Sequence, residues 1–228
     1  MEGTMQILII ISTVALYILM NRLYLKINSP LLVPFFTVTV FSIAVLLIFN
    51  IPYETYMAGA EWIQIMLGPA VVSLAYPLYN QRLLINKYKM AIISSICIAM
   101  LTGLVSVYII LKLFKSSQEF IYTALPKSMT TPVAMQVSES IGGVAPLTAV
   151  LVMIAGYTGV LLGPFLYKIA KINTPISRGV AMGSVSHGAG VSKLKEFGEK
   201  ELSIGSLSMG LSAIIGAIVV PFFSLLIM

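Results

Sequence analysis

Charge is scarce in this chain. Asp, Glu, Lys and Arg make up only 10% of its 228 residues, where a soluble domain carries about 25%. A surface so poor in charge excludes a freely dissolved globule and points to lipid as the solvent. Cysteine is nearly absent too. The single Cys97 lies inside an apolar run, so there is no disulfide framework and the redox compartment cannot be read. One histidine and one cysteine cannot build a usual zinc site. A phosphate-binding loop ending in Gly-Lys-Ser/Thr and a His-Glu-x-x-His helix are both missing. No enzyme, cofactor or metal is expected.

Apolar sequence is plentiful, at 58% of residues. Runs close to the roughly 20 residues that a spanning helix needs cover 5–20, 31–49, 62–79, 90–111, 146–167 and 203–228. They are continuous rather than alternating, which excludes barrel strands. The expected fold is all-α: a polytopic transmembrane helical bundle of about seven spanning segments plus broken or re-entrant elements. It forms a single integral membrane domain, 1–228, whose halves (about 1–112 and 113–228) are candidates for an inverted repeat. The first segment lacks a basic n-region before it and a small-residue cleavage site after it, so it does not read as a signal peptide.

The net charge of +6 would suit nucleic acid in a soluble protein. Here the bases lie mostly in short loops, the pattern that orients membrane helices, and no nucleic acid is expected. Arg22 and Lys26, then Arg82, Lys87 and Lys89, then Lys168, Lys171 and Arg178 follow apolar segments, while the intervening loop carries only Glu54 and Glu61. This places those basic loops in the cytoplasm and the N-terminus outside. A difficulty follows. Between Lys112, outside, and Lys168, inside, two apolar segments stand where an odd number of crossings is required. Residues 128–143 can dip in and return, which is the favoured reading; otherwise Lys112, Lys115 and Lys127 break the rule. Residues 179–191 are also too short to cross as an ordinary helix, and whether they cross or re-enter decides the side of the C-terminus.

Irregular backbone at membrane depth survives only where protein or a water-filled cavity satisfies it, so polar breaks in apolar sequence mark candidate sites. The first is Lys127-Ser128-Met129-Thr130-Thr131-Pro132. Pro132 disfavours helix at Thr131 and suits the first position of a new helix, with Thr130 or Thr131 as its cap. The amides of Val133 and Ala134 would then be free at a positive helix end. Ser138 and Gly142 fall nearly on the face of Thr131, and Gly142, Gly143 and Pro146 end the element. An ordinary capped helix start is the plainer alternative. The second break holds Ser186, His187, Gly188 and Gly190, where the lone histidine is a candidate proton carrier or, more simply, an interfacial loop residue. Glu139 is a third candidate, either a carboxylate in the membrane or a solvated one.

Weaker signals are the proline-punctuated Asn28-Ser29-Pro30-Leu31 and the recurrence of Leu67-Gly68-Pro69 as Leu162-Gly163-Pro164. Small-residue ridges, Ala149, Gly156, Gly159 and Gly163 in one helix and Ser206, Gly210, Ala213 and Ala217 in another, read as close helix packing within or between subunits.

The chain resembles the LrgB/CidB family of bacterial membrane proteins. The resemblance rests on Lys127 to Ala134, Ser138, Ile141-Gly142-Gly143, Leu147-Thr148-Ala149, Gly163-Pro164, Arg178 to Gly183 and Ser186-His187-Gly188. Many relatives have valine where Met129 stands and threonine where Val191 stands. The resemblance implies a holin/antiholin-like protein of the bacterial plasma membrane, acting with a small LrgA/CidA-type partner on murein hydrolase activity, cell lysis and programmed cell death. Plastid relatives look like glycolate/glycerate transporters, and bacterial ones are linked to pyruvate. With the polar breaks, the expected function is a membrane transporter of small carboxylates. Thr130, Thr131, Pro132, Ser138, Gly142, Gly143, Ser186, His187, Gly188 and Gly190 are expected to bind substrate, and His187 or Glu139 to carry the coupling proton. A non-transporting, pore-forming or regulatory protein is the alternative. A homo-oligomer in the lipid bilayer is expected in either case.

Overall fold

A computed structural model describes residues 2–227 apart from 28, 30, 31, 67, 68, 70, 71, 73, 74 and 81. The Asn28 to Leu31 signal and the Leu67-Gly68-Pro69 signal fall mostly outside the described residues. Every regular element among the described residues is helical. Among the described residues four helices are long and apolar enough to cross a membrane: Met5–Ile27, Asn86–Leu113, Ala145–Ile169 and Glu199–Leu226. Phe36–Ile48 is a shorter apolar stretch. The protein is a multi-pass membrane protein.

The chain forms two compact units, Met1–Ala75 and Tyr76–Met228. The first contains α1 (Glu2–Ile27), α2 (Pro34–Ile48) and α3 (Tyr53–Ile65). α3 lies against α1 through Gly59, which is seated on Ile9 and the Gln6 carbonyl. These helices border a cavity of about 470 Å³ whose wall includes Leu16, Phe41, Val45 and Tyr56 and no charged side chain. Its polar side chains are the hydroxyls of Ser12, Thr13, Ser42 and Tyr56.

The second unit runs α4 (Ala75–Asn80), α5 (Arg82–Leu113), α6 (Gln118–Ala124), a 3-10 turn η1 (Leu125–Ser128), α7 (Thr131–Ser140), α8 (Ala145–Ile169), α9 (Pro175–Leu194) and α10 (Glu199–Leu226). α5 and α10 run parallel. At one end Ile92, Ile96, Val180 and Ile204 form a core cluster. At the other, Tyr108 stacks edge-on against Phe223, with ring centroids 6.0 Å apart, and Gln118 donates to the Ile227 carbonyl at 3.3 Å.

Two elements fold back on themselves. Residues 118–144 leave the end shared by Leu111 and Ile227 and return to it. The Val144 amide donates to the Thr123 hydroxyl at 2.9 Å, and the Thr148 hydroxyl lies 2.8 Å from the Thr123 carbonyl. Residues 128–143, read from the loop charges as dipping in and returning, lie within this folded-back segment. α9 does the same from the opposite end. Continuous helix would separate residues 179 and 194 by about 22 Å, yet Gly205 of α10 abuts both the Gly179 carbonyl and Leu194. The reversal occurs at His187, whose φ of 37° and ψ of −132° break the helix into legs 175–186 and 188–194. α9 therefore folds back on itself at His187.

Small residues make this packing possible. Along α8, Gly163, Gly159 and Gly156 face Met182, Ser186 and His187 of α9 in antiparallel order. Gly183 of α9 meets the Gly205 backbone of α10 so closely that no Cβ fits. The expected α8 ridge is thus a packing surface within the unit. The α10 ridge differs from expectation: Gly210 has nothing within 4 Å, and Gly205 and Gly216 are the close-approach positions.

Candidate functional site

The tip of the first hairpin spans η1, Met129 and Thr130. Pro126 opens the 3-10 turn, Met129 is extended (φ −107°, ψ 166°), and Thr130 is the N-cap of α7 (φ −60°, ψ 139°). Met129 is 1% exposed and its sulfur packs on Gly216, where a missing Cβ leaves room for it. That knob fixes the extended residue against α10.

The helix start differs from the expectation in three respects. Thr131 is helical, and the break sits one residue earlier, at Met129 and Thr130. Proline is tolerated in a first turn, where its missing N–H has no carbonyl to meet. The Thr130 hydroxyl makes no capping bond. The Ala134 amide is taken, donating to the Thr130 carbonyl at 2.8 Å. The amides left over at this positive helix end are those of Thr131 and Val133.

The far end of α7 serves packing. Thr123, Ser138 and Thr148 are each fully buried. The Thr148 hydroxyl is 2.8 Å from the Thr123 carbonyl and 2.7 Å from the Ser138 hydroxyl. The one Thr148 hydroxyl proton is shared among close acceptors, the Thr123 carbonyl and the Ser138 hydroxyl. Gly142 does not share the face of Thr131, because α7 ends at Ser140 and Gly142 turns the chain with φ of 87°. Gly143 then sits on the Tyr122–Thr123 backbone. Glu139 is exposed in the last turn of α7, roughly 12 Å of helical rise from Thr131. Ser138, Glu139, Gly142 and Gly143 therefore lie away from the tip.

The second tip is His187. Its ring is 6% exposed, Nε2 has no hydrogen-bond partner, and its neighbours include the Val152 backbone and Gly156 near the middle of α8. The dihedrals are those of the first central residue of a type II′ turn, a place for glycine. A histidine held there stores strain of a kind that gathers at functional sites. Ser186 is buried against Gly159, Gly190 is enclosed by Met182 and Ser186 inside the hairpin, and Gly188 is exposed with open space where a Cβ would be.

The two tips meet. η1 packs against α5, α8, α9 and α10, and the Lys127 charge acts on His187. The structure thus sets η1, the turn that leads into Thr130 and Thr131, against α9, the element that carries His187. Sequence reasoning placed Lys127 at the head of the first polar break and in the family resemblance but gave it no role in a site. Its ammonium is half-buried and donates to the Ser128 hydroxyl at 3.2 Å. The legible signal was a base in a polar break with no acid beside it. Among the described residues no group of three or more His, Cys, Asp or Glu side chains could hold a metal ion.

At the base of the second hairpin, Arg178 lies 3.9 Å from the buried Glu201, donates to the Ile172 carbonyl at 3.1 Å and faces the Phe197 ring. The Tyr167 hydroxyl donates to the Arg178 carbonyl at 2.8 Å. These contacts fasten the first leg of α9 to α8 and α10.

A model of the LrgB-like family matches residues 13–226. The chain is 42% identical over 220 residues to the uncharacterized protein YxaC of Bacillus subtilis, covering 96% of each. It is 34% identical over 225 residues to the holin-like protein CidB of Staphylococcus epidermidis, covering 99% of this chain and 98% of that one. The holin-like protein CidB of Staphylococcus aureus is 34% identical over 220 residues, with 96% of each covered. No solved structure matches.

Proposed function

The chain belongs to the LrgB-like family, and on that premise we propose that it carries small carboxylates, of the pyruvate or glycolate kind, across the membrane. The observation that supports this most is the meeting of two hairpins that enter from opposite ends, with tips at Thr130–Thr131 and His187. Interrupted segments that converge inside the membrane supply free amides and positive helix ends to an anionic substrate. A protein that only perforates the bilayer has no need for a strained, buried histidine there.

In this reading Thr130, Thr131 and the amides of the Pro132 turn hold the carboxylate. Ser186, Gly188 and Gly190 shape the opposite wall, and His187 carries the coupling proton on Nε2. Each hairpin closes one side, so small movements of one against the other alternate access. Arg82, Lys87, Lys168, Lys171, Arg178 and Lys200 gather at the end from which α9 enters, and that end faces the cytoplasm by the positive-inside rule. The N-terminus is assigned outside on the same rule.

The test is uptake of radiolabelled pyruvate and glycolate by proteoliposomes, with and without an imposed proton gradient. Gradient-driven uptake by wild type, lost in a folded His187→Ala protein, is expected. The printed name of the staphylococcal relatives, holin-like protein, favours a second reading, a lysis regulator acting with a small LrgA/CidA-type membrane partner. Folded wild type that moves no carboxylate under any gradient would replace the first reading with the second.

A further inference from the structure

We propose that Lys127 supplies the ammonium that pairs with the substrate carboxylate at the junction of the two hairpins, an inference that rests on the carboxylate reading above. Lys127 is half-buried at the tip of the first hairpin, and its hydrogen bond goes to a neutral hydroxyl, that of Ser128. The two salt bridges among the described residues lie elsewhere, Arg178 with Glu201 and Lys193 with Glu196. The first hairpin's own carboxylates, Glu119 and Glu139, are exposed and away from the tip. A partly desolvated ammonium with no anion beside it is costly, so the fold retains an uncompensated positive charge at its centre.

Two further features of the two hairpins suit an anion. α7, ten residues long, turns its N-terminus toward the same tip, with the Thr131 and Val133 amides unclaimed. His187, 6% exposed with Nε2 unpartnered, sits at the turn of α9, the element that packs against η1. A carboxylate answers all three features. One oxygen takes the ammonium and the other takes the α7 amides, while His187 Nε2 bonds a neighbouring polar atom of the ligand. Charge-assisted hydrogen bonds of this kind are roughly twice as strong as neutral ones. Lys127 then decides between an acid and its uncharged amide or ester.

The experiment measures binding of radiolabelled pyruvate to detergent-purified full-length protein and its uptake into proteoliposomes. Lys127→Gln should lower affinity at least 30-fold with an unchanged thermal midpoint and elution profile, and Lys127→Arg should stay within 10-fold of wild type. As a check that does not depend on how Lys127→Gln folds, Lys127→Cys in a Cys97→Ser background is alkylated after purification. Aminoethylation, which restores an ammonium, should recover binding, and neutral methylthiolation should not. Equal recovery by both reagents, recovery by neither, or wild-type affinity in Lys127→Gln overturns the proposal while wild-type transport upholds the carboxylate reading. Wild type that neither binds nor carries pyruvate or glycolate ends that reading and this one together.

Discussion

The first hairpin turns where a proline begins a helix, and the second turns at a histidine in a backbone conformation suited to glycine. Both reach the same region, but different forces hold them. The α6–α7 hairpin is closed by hydrogen bonds among buried hydroxyls, Thr123, Ser138 and Thr148, and by the Met129 knob in Gly216. The α9 hairpin has no such network across its legs. It is held by contact, with glycines of α8 and α10 letting backbones approach until side chains have no space. Polar satisfaction is directional and tolerates small changes of volume. Close packing is the reverse, indifferent to polarity and intolerant of a single methyl group.

That contrast can be broken most forcefully at Gly183. Gly183→Ala drives a Cβ into the Gly205 backbone, and overpacking against immovable backbone should cost about 3 kcal/mol or more. A thermal midpoint in detergent within a degree of wild type would show that α9 does not depend on this approach. In the other hairpin, Thr148→Val keeps the volume and strands the Ser138 hydroxyl and the Thr123 carbonyl, at about 1–3 kcal/mol. Adding Ser138→Ala should recover part of that loss, since the pair share one network; strictly additive midpoints would mean the hydroxyls act separately.

His187→Gly sharpens the comparison in the opposite sense. Relief of the positive φ should stabilise the protein by about 1–2 kcal/mol, while proton-driven uptake disappears. A variant that gains stability and keeps its uptake would leave the strain unexplained by function. The smallest effect is expected at Glu139→Gln, an exposed change within about 0.5 kcal/mol of neutral that should leave uptake unaltered. Loss of coupling there, with His187→Ala still coupled, would move the proton from the second tip to the far end of α7.

The helical class, the apolar spans and both polar breaks were legible because each depends on local composition: apolar length for spans, proline and glycine for breaks. Charge led to residues 128–143 being read as dipping in and returning, since Lys112 and Lys168 demanded an odd number of crossings, and these residues lie inside the folded-back segment 118–144. What stayed hidden was long-range. Ser138 looks like a wall residue by helical spacing, and only the fold reveals that Thr148 occupies its hydroxyl. Glu139 looks like a membrane carboxylate until α7 turns it outward. Lys127 was passed over because a lone Lys-Ser pair carries no motif, and its lack of an acid is visible only when every neighbour is in place. The ridge in α8 was read correctly as packing, whereas the one in α10 was misplaced because α9 presses on Gly205 and Met129 on Gly216.

The glycine-seated packing of α9 also governs how the protein can be made. Ten side chains or glycines of α9 are buried, many against α8 and α10, so the hairpin has no finished environment until α10 has been synthesised and inserted. During synthesis residues 175–194 therefore stand as an unlodged polar-apolar segment, and the 28 residues of α10, Glu199–Leu226, act as the lock that seats it. Nascent chains halted before Glu199 should be cleared by membrane quality control, whereas chains halted after Leu226 should be retained. The lifetime of the protein in the cell is thereby tied to the completion of its final helix.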